Sequence, residues 1–218
     1  MNKVKRDRAL LVFARNPVAG QVKTRLIPAL GAEGAVAVYR QLLAGTLAAA
    51  HAANSDTLSL WIDQPSPNAE LLDSIAAYDT NWHPQSSGDL GARMQHAFES
   101  SLAGHRHVVL IGSDCPGFSA AYLHQAFDAL HRCDLVIGPA SDGGYVLIGM
   151  NTLHAALFES IPWSTDRVLA VTRQRLAGLG LSCHELPALR DIDTADDLRD
   201  FPELLNVFAR RVSEQTRP

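Results

Sequence analysis

Cysteine is scarce. The chain of 218 residues holds three, Cys115, Cys133 and Cys183, with no C-x-x-C pair. An odd set without framework spacing excludes a disulfide scaffold and predicts a reducing, cytoplasmic setting. Long apolar runs are missing too. None approaches the roughly 18 residues a membrane helix requires, and the run Ala9–Ala14 is ended by Arg15, too short for a signal-peptide core. No membrane partner is expected. Basic excess is absent: the net charge is −4 with both signs interspersed, which removes the footprint of a nucleic-acid binder. Neither the P-loop pattern G-x-x-x-x-G-K-[ST] nor the dinucleotide pattern G-x-G-x-x-G occurs. H-E-x-x-H is absent and the histidines are scattered, so no zinc site is expected.

What remains is a globular composition, 47% apolar and 19% charged. A chain of this size buries roughly 70% or more of its unfolded surface, enough for one domain. We expect a single domain over 1–218, with flexible ends at 1–8 and 213–218, as a monomer or homodimer. Short apolar runs alternate with helical patterns. Strands are predicted over Ala9–Ala14, Thr57–Ile62, Asn81–Gln85, His107–Ile111, Asp134–Pro139, Tyr145–Met150 and Ser182–Leu186. Helices are predicted from about Ala32 to Ala53, over Asn68–Tyr78, Ala92–Ala103 and Ala120–His131, within Trp163–Leu179, and over Thr194–Phe201 and Pro202–Val212. In the first of these, Val36, Tyr39, Leu43, Leu47 and Ala50 recur at helical spacing and mark a buried face. The gap between Pro139 and Tyr145 is too short for a crossover helix, so that strand must run antiparallel or leave the sheet. The expected fold is a three-layer αβα sandwich around a mostly parallel sheet with one antiparallel strand.

The organising stretch is His107–Pro116. The continuous run Val108–Ile111 suits a central strand covered on both faces. Gly112 permits a turn, and Asp114 falls just past the strand's carboxyl end, the edge where open α/β sheets bind ligands. Asp114 there is a ligand for Mg²⁺ or a cap for the helix that begins near Ser119. Lys23 and Arg25, after the first strand, read as cations for a triphosphate or as an ordinary solvated pair. Asp193 in Asp191–Leu198 reads as a second metal carboxylate, while Thr194 is expected to cap the following helix with Asp196 and Asp197 in its first turn. Asp142-Gly143-Gly144-Tyr145 is either a tight hairpin turn or a close approach of backbone to ligand. Gly88-Asp89-Leu90-Gly91 with Arg93 is a helix start or a base and ribose contact. Cys115 is read as a small buried side chain rather than a nucleophile.

Five motifs in this order, FARNPVAGQVKTRL, GDLGARM, IGSDCPGF, SDGGYVLIGM and DIDTADDL, resemble a bacterial family of GT-A-like transferases labelled glycosyltransferase-like or selenodomain-associated. The likeness spans about Ala9 to Phe201. More distantly the chain is similar to nucleotidyltransferases that make activated sugars and to phospholactate and molybdopterin guanylyltransferases. The resemblance implies a nucleotide-binding sheet and a Mg²⁺ (or Mn²⁺) site made by Asp114 and Asp193. Lys23 and Arg25 would match the basic end of the signature loop. Arg15, Gly20, Gly88, Asp89, Arg93, Ser113, Asp142, Gly143, Gly144 and Tyr145 are the expected nucleotide or substrate contacts. The signature loop usually reads A-G-G-x-G-x-R; here only Gly20 stands in it, after Asn16-Pro17.

The expected activity is Mg²⁺-dependent transfer of a nucleoside monophosphate from a nucleoside triphosphate to a small phosphorylated or hydroxylated acceptor. The alternatives are glycosyl transfer from a nucleotide-sugar, against which Ser113-Asp114-Cys115 counts because it is no D-x-D, and nucleotide binding without catalysis.

Overall fold

The computed structural model describes residues 5–78 and 80–204. Seven strands form one sheet: β1 (Arg6–Ala14), β2 (Thr57–Ile62), β3 (Asn81–Pro84), β4 (His105–Ile111), β5 (Leu135–Pro139), β6 (Tyr145–Met150) and β7 (Cys183–Glu185). Their order is β3-β2-β1-β4-β6-β5-β7. All neighbours pair in parallel except β6, which runs antiparallel to both β4 and β5. The short β5–β6 connection dictates this, because a parallel return cannot be made without a crossover.

Helices α1 (Ile27–Ala52), α2 (Ala69–Ala76) and α4 (Ala120–Leu130) cover one face; α3 (Leu90–Leu102) and α5 (Val168–Leu179) cover the other. Alternation along β1 supplies both layers. Leu10, Val12 and Ala14 face the α1 side, and Ala9, Leu11 and Phe13 face the α3 side. The face expected on α1 is the buried one: Val36, Tyr39, Leu43, Leu47 and Ala50 all join the first core. A second stripe of α1, including Val38 and Leu42, packs on Ile192, Leu198 and Leu204. That contact anchors the C-terminal segment near the first loop. Phe127 is fully buried between α4 and the sheet. Phe127→Ala should cost about 3–5 kcal/mol, read from denaturant unfolding with an unchanged slope.

Several expectations require correction. Residues 6–8 are no free arm: β1 begins at Arg6, with Arg6 opposite His105 and Arg8 opposite His107. Backbone pairing does not require apolar side chains, and the Asp56 carboxylate accepts from the Asp7 and Arg8 amides at 2.9 Å each. β4 likewise starts at His105. Helix α1 starts at Ile27, earlier than the apolar pattern suggested, and bends at Gly31, whose φ of 70° only glycine adopts freely. The helix expected over Thr194–Phe201 is reduced to a 3-10 turn at Asp197–Asp200. The helix expected over Pro202–Val212 and the tail 213–218 lie, beyond Leu204, outside the described residues. Among the described residues no helix is long and apolar enough to cross a membrane.

Candidate active site

At the carboxyl edge of β1, β2 and β4 the chain leaves the sheet in three loops, and a cavity of about 550 Å³ opens between them. Its floor is the end of β4. Gly112, Ser113 and Asp114 line it, as do Arg15 from the end of β1 and Asp63 from the end of β2. Tyr39 of α1 reaches up from below. Its phenol oxygen accepts the Arg15 amide at 2.8 Å and lies 3.1 Å from the Ser113 hydroxyl, joining the ends of β1 and β4. Burial pushes this phenol up to about 12, so it stays protonated.

Lys23 sits in the left-handed region, with φ 47° and ψ 44°. A non-glycine residue there is strained, and such strain is characteristic of functional loops. The conformation turns its side chain inward, leaving it 6% exposed, with Nζ 3.1 Å from Asp114 Oδ2 and 3.9 Å from Asp193 Oδ1. Arg25 donates to Asp193 Oδ2 at 2.5 Å from the solvent side. The two aspartates therefore meet across one ammonium. What brings them together is backbone pairing. The Ile192 amide donates to the Asp114 carbonyl at 3.1 Å, and Leu189 pairs with Pro139 and Ser141. The strand-like run after β7 is thus laid across the end of β4.

Thr194 caps no helix; it donates. The Asp197 carboxylate folds back to accept from the Asp193 and Thr194 amides and the Thr194 hydroxyl, at 3.1, 2.7 and 2.8 Å. Burial opposes its charge, but these bonds and Arg190 hold the carboxyl down to about 2. A depressed folded-state pKa contributes stability above the ordinary value near 3.8, which is lost as pH falls toward 2. We expect Tm of the wild type to drop across that window, and the drop to be shallower in Asp197→Asn, measured by thermal melts at successive pH values.

Asp191 and Asp63 escaped sequence reasoning. Asp191 lines the cavity, and burial first, then the Asp142 and Asp114 carboxylates, push it up to about 6. Asp63 follows β2 as Asp114 follows β4, so the edge rule could have found it. One of its oxygens, Oδ1, is buried without a partner among the described residues. Tyr145 and Trp163 also line the cavity, their rings edge to face at 6.4 Å, with the Tyr145 hydroxyl and the Trp163 indole N–H themselves buried and, among the described residues, without a partner. Burial pushes the Tyr145 phenol upward.

The remaining expected contacts divide. Arg93 lines the cavity and its Nε donates to the Gly88 carbonyl; Gly144 and Asp142 also line it, with Asp142 Oδ1 accepting the Gly144 amide at 2.9 Å. Asp142 thus closes the turn and faces the cavity. Gly20, Gly88, Asp89 and Gly143 are not brought to its walls. Asp89 instead caps α3, accepting the Ala92 amide at 2.9 Å. Gly143 supports the hairpin from behind. Cys115 is buried, and burial pushes its thiol up to about 12, consistent with a packing role.

The donor set suits a hard divalent cation. It is made of oxygens, Asp114 and Asp193 are each 43% exposed toward a cavity, and burial together with the neighbouring carboxylates raises Asp191.

The profile of the bacterial family described as "Uncharacterized protein conserved in bacteria (DUF2064)" matches residues 46–165, more than half of the chain. The chain belongs to the DUF2064 family. Three of the five motifs, GDLGARM, IGSDCPGF and SDGGYVLIGM, fall in the matched part; the Lys23 and Asp193 loops of this DUF2064 chain lie outside it. No curated protein matches. Among solved structures, a candidate nucleotide-diphospho-sugar transferase from Desulfovibrio desulfuricans G20 is 28% identical, with TM-score 0.78 over 92% of this chain and 97% of that one. The 4-diphosphocytidyl-2C-methyl-D-erythritol synthase of Anaerococcus prevotii DSM 20548 is 13% identical, with TM-score 0.62 over 92% and 99%. Rv0371C of Mycobacterium tuberculosis H37Rv, solved with manganese, is 20% identical, with TM-score 0.54 over 92% and 100%. The DUF2064 chain has the α/β fold of these proteins.

Proposed function

We propose that this DUF2064 protein is a divalent-metal-dependent nucleotidyltransferase. The observation that carries the reading is the meeting of Asp114, Asp193 and Lys23 at the carboxyl edge of the sheet. Asp114 and Asp193 would hold Mg²⁺ or Mn²⁺, which when bound neutralises charge on the phosphates and orients them. Lys23 keeps one N–H on Asp114 and has others to turn toward a phosphate oxygen. Arg25, planar and exposed, takes a second phosphate. An acceptor oxygen attacks the α-phosphorus, the new P–O bond forms as the bond to the β-phosphate oxygen breaks, and pyrophosphate leaves. The chain's part is positioning and charge, as in phosphoryl transfer generally. Tyr145 and Trp163 would bound the place of the acceptor, in a cavity that Arg15, Arg93 and Asp63 also line.

Glycosyl transfer from a nucleotide-sugar is the second reading, favoured by the 28% identity to the Desulfovibrio protein. One assay separates them. The four nucleoside triphosphates are offered with Mg²⁺ and a panel of phosphorylated and hydroxylated acceptors, and the nucleotide-sugars are offered in parallel. Acceptor-dependent pyrophosphate release is expected. Release of nucleoside diphosphate from a sugar donor, without pyrophosphate, would replace the first reading by the second. Saturable binding with no turnover would remove both.

A further inference from the structure

At the opposite edge of the sheet, where β1 and β4 begin, Asp7, His107 and His131 come together. Each offers one ligand atom, and these atoms all lie within 4.8 Å of one another. Among the described residues this is the one group of three or more His, Cys, Asp or Glu side chains so arranged. His107 is on β4, Asp7 on the neighbouring β1, and His131 is the residue that ends α4. From His107 to Asp114 is about seven residues of extended chain, roughly 20 Å, so this cluster is separate from the cavity above.

The hydrogen bonds around His107 settle which ring nitrogen faces the cluster. The Asn151 amide group donates to the Leu130 carbonyl at 2.8 Å and the Cys133 carbonyl at 2.9 Å. Both of its N–H donors are thereby used, and its oxygen must point at His107 Nδ1, 2.6 Å away. An oxygen accepts only, so Nδ1 carries the proton and the neutral ring presents a lone pair at Nε2. That lone pair faces the Asp7 carboxylate at 3.8 Å, on a side chain only 12% exposed. Two acceptors facing each other call for a proton or a metal ion between them. Fixing a histidine's tautomer through its outer nitrogen is how proteins orient imidazole ligands toward metals. The same asparagine grips the turn that carries His131, so one side chain fixes the His107 ring and the backbone on either side of His131. His131 also stands at the carbonyl end of α4, where the helix dipole favours positive charge.

We propose that Asp7, His107 and His131 form a second metal site, for a borderline transition cation such as Zn²⁺, held by two imidazoles and one carboxylate with a water completing the shell. Imidazole donors suit Zn²⁺, whereas Mg²⁺ prefers oxygen, so the two sites differ in what they select. The site ties the first strand to β4 and to the end of α4.

The test uses the untagged full-length chain carrying Asp114→Asn, stripped with chelator and held in excess Mg²⁺, so that the carboxylate cavity does not contribute. Zn²⁺ is titrated calorimetrically, and Co²⁺ is used as a coloured substitute. One equivalent of Zn²⁺ should bind and raise Tm, and Co²⁺ should give the intense visible absorption of a four-coordinate site. Asp7→Asn and His131→Ala, both at exposed positions, should each weaken Zn²⁺ by about 10–100-fold and abolish the rise in Tm. Metal-free melts of the two variants verify that they are folded; if one is not, the other carries the comparison. Equal Zn²⁺ affinity in the parent and both variants would overturn the proposal. So would a His107 Nε2 that keeps a proton, paired to Asp7, in nitrogen NMR spectra with Zn²⁺ present.

Discussion

Asp114→Asn should lower the rate of acceptor-dependent pyrophosphate release by roughly 10²–10³-fold, the usual effect of losing one preorganised charge-stabilising group. The substitution keeps the shape of the side chain and removes the anion. Asp114 is half-exposed, and Lys23 Nζ retains Asp193 at 3.9 Å, so the loss should fall on turnover rather than on folding. Melting temperature and turnover measured on the same preparation separate the two. Raising the Mg²⁺ or Mn²⁺ concentration should recover part of the activity, because a weakened ligand set is refilled by mass action. An unchanged rate would leave Asp114 as a mere partner of Lys23, and the nucleotidyltransferase reading would lose its metal.

Gly143→Ala should be the most damaging small substitution in the β5–β6 hairpin. Gly143 has φ +91°, and a Cβ there would stand 2.2 Å from the Asp166 carbonyl oxygen and 2.8 Å from its carbonyl carbon. These are backbone atoms and cannot rotate aside. The Gly143 carbonyl also accepts the Leu169 amide at 2.9 Å, fastening the turn to the start of α5. Both restraints fail together. We expect a loss of about 2–4 kcal/mol, or roughly 5–15 °C in Tm for a chain of this size. Asp166 lies against this turn and residues 163–165, just before it, line the cavity, so KM for the acceptor should rise as well. Gly178→Ala is the control. It lies inside α5 with nothing within 4 Å of a new Cβ, and should be neutral or stabilise by about 0.5–1 kcal/mol. Equal effects at the two positions would mean that the hairpin and the 163–168 segment are not tightly packed.

Gly143 also shows how one stretch carried two readings. By sequence, Asp142-Gly143-Gly144 suits a tight turn and a ligand contact equally. The structure divides the roles: Gly143 serves the turn, while Asp142 and Gly144 reach the cavity. Asp193 and Thr194 divide otherwise. The aspartate arrives where its position after the last strand suggested. The threonine does not cap, because its hydroxyl donates to the Asp197 carboxylate, which also accepts the Asp193 and Thr194 amides. A capping pattern records only which side chains can accept, and here two candidates lay within four residues.

The strands of the sheet, the burial of both its faces and the antiparallel course of β6 were determined by the sequence alone. They follow from local facts: runs of apolar residues, the alternation of side chains and a connection too short to cross over. The position of Asp114 follows from the same kind of fact, since it ends a buried strand. Which groups meet at that edge was decided by tertiary structure. Asp193 reaches Lys23 through the pairing of Ile192 with Asp114, Asp63 joins from β2, and Tyr39 rises from a helix. The pairing of His107 with His131 across β4 and α4 was decided in the same way. Long-range pairing is set by how all the layers close on one another, and no spacing within a single element encodes it.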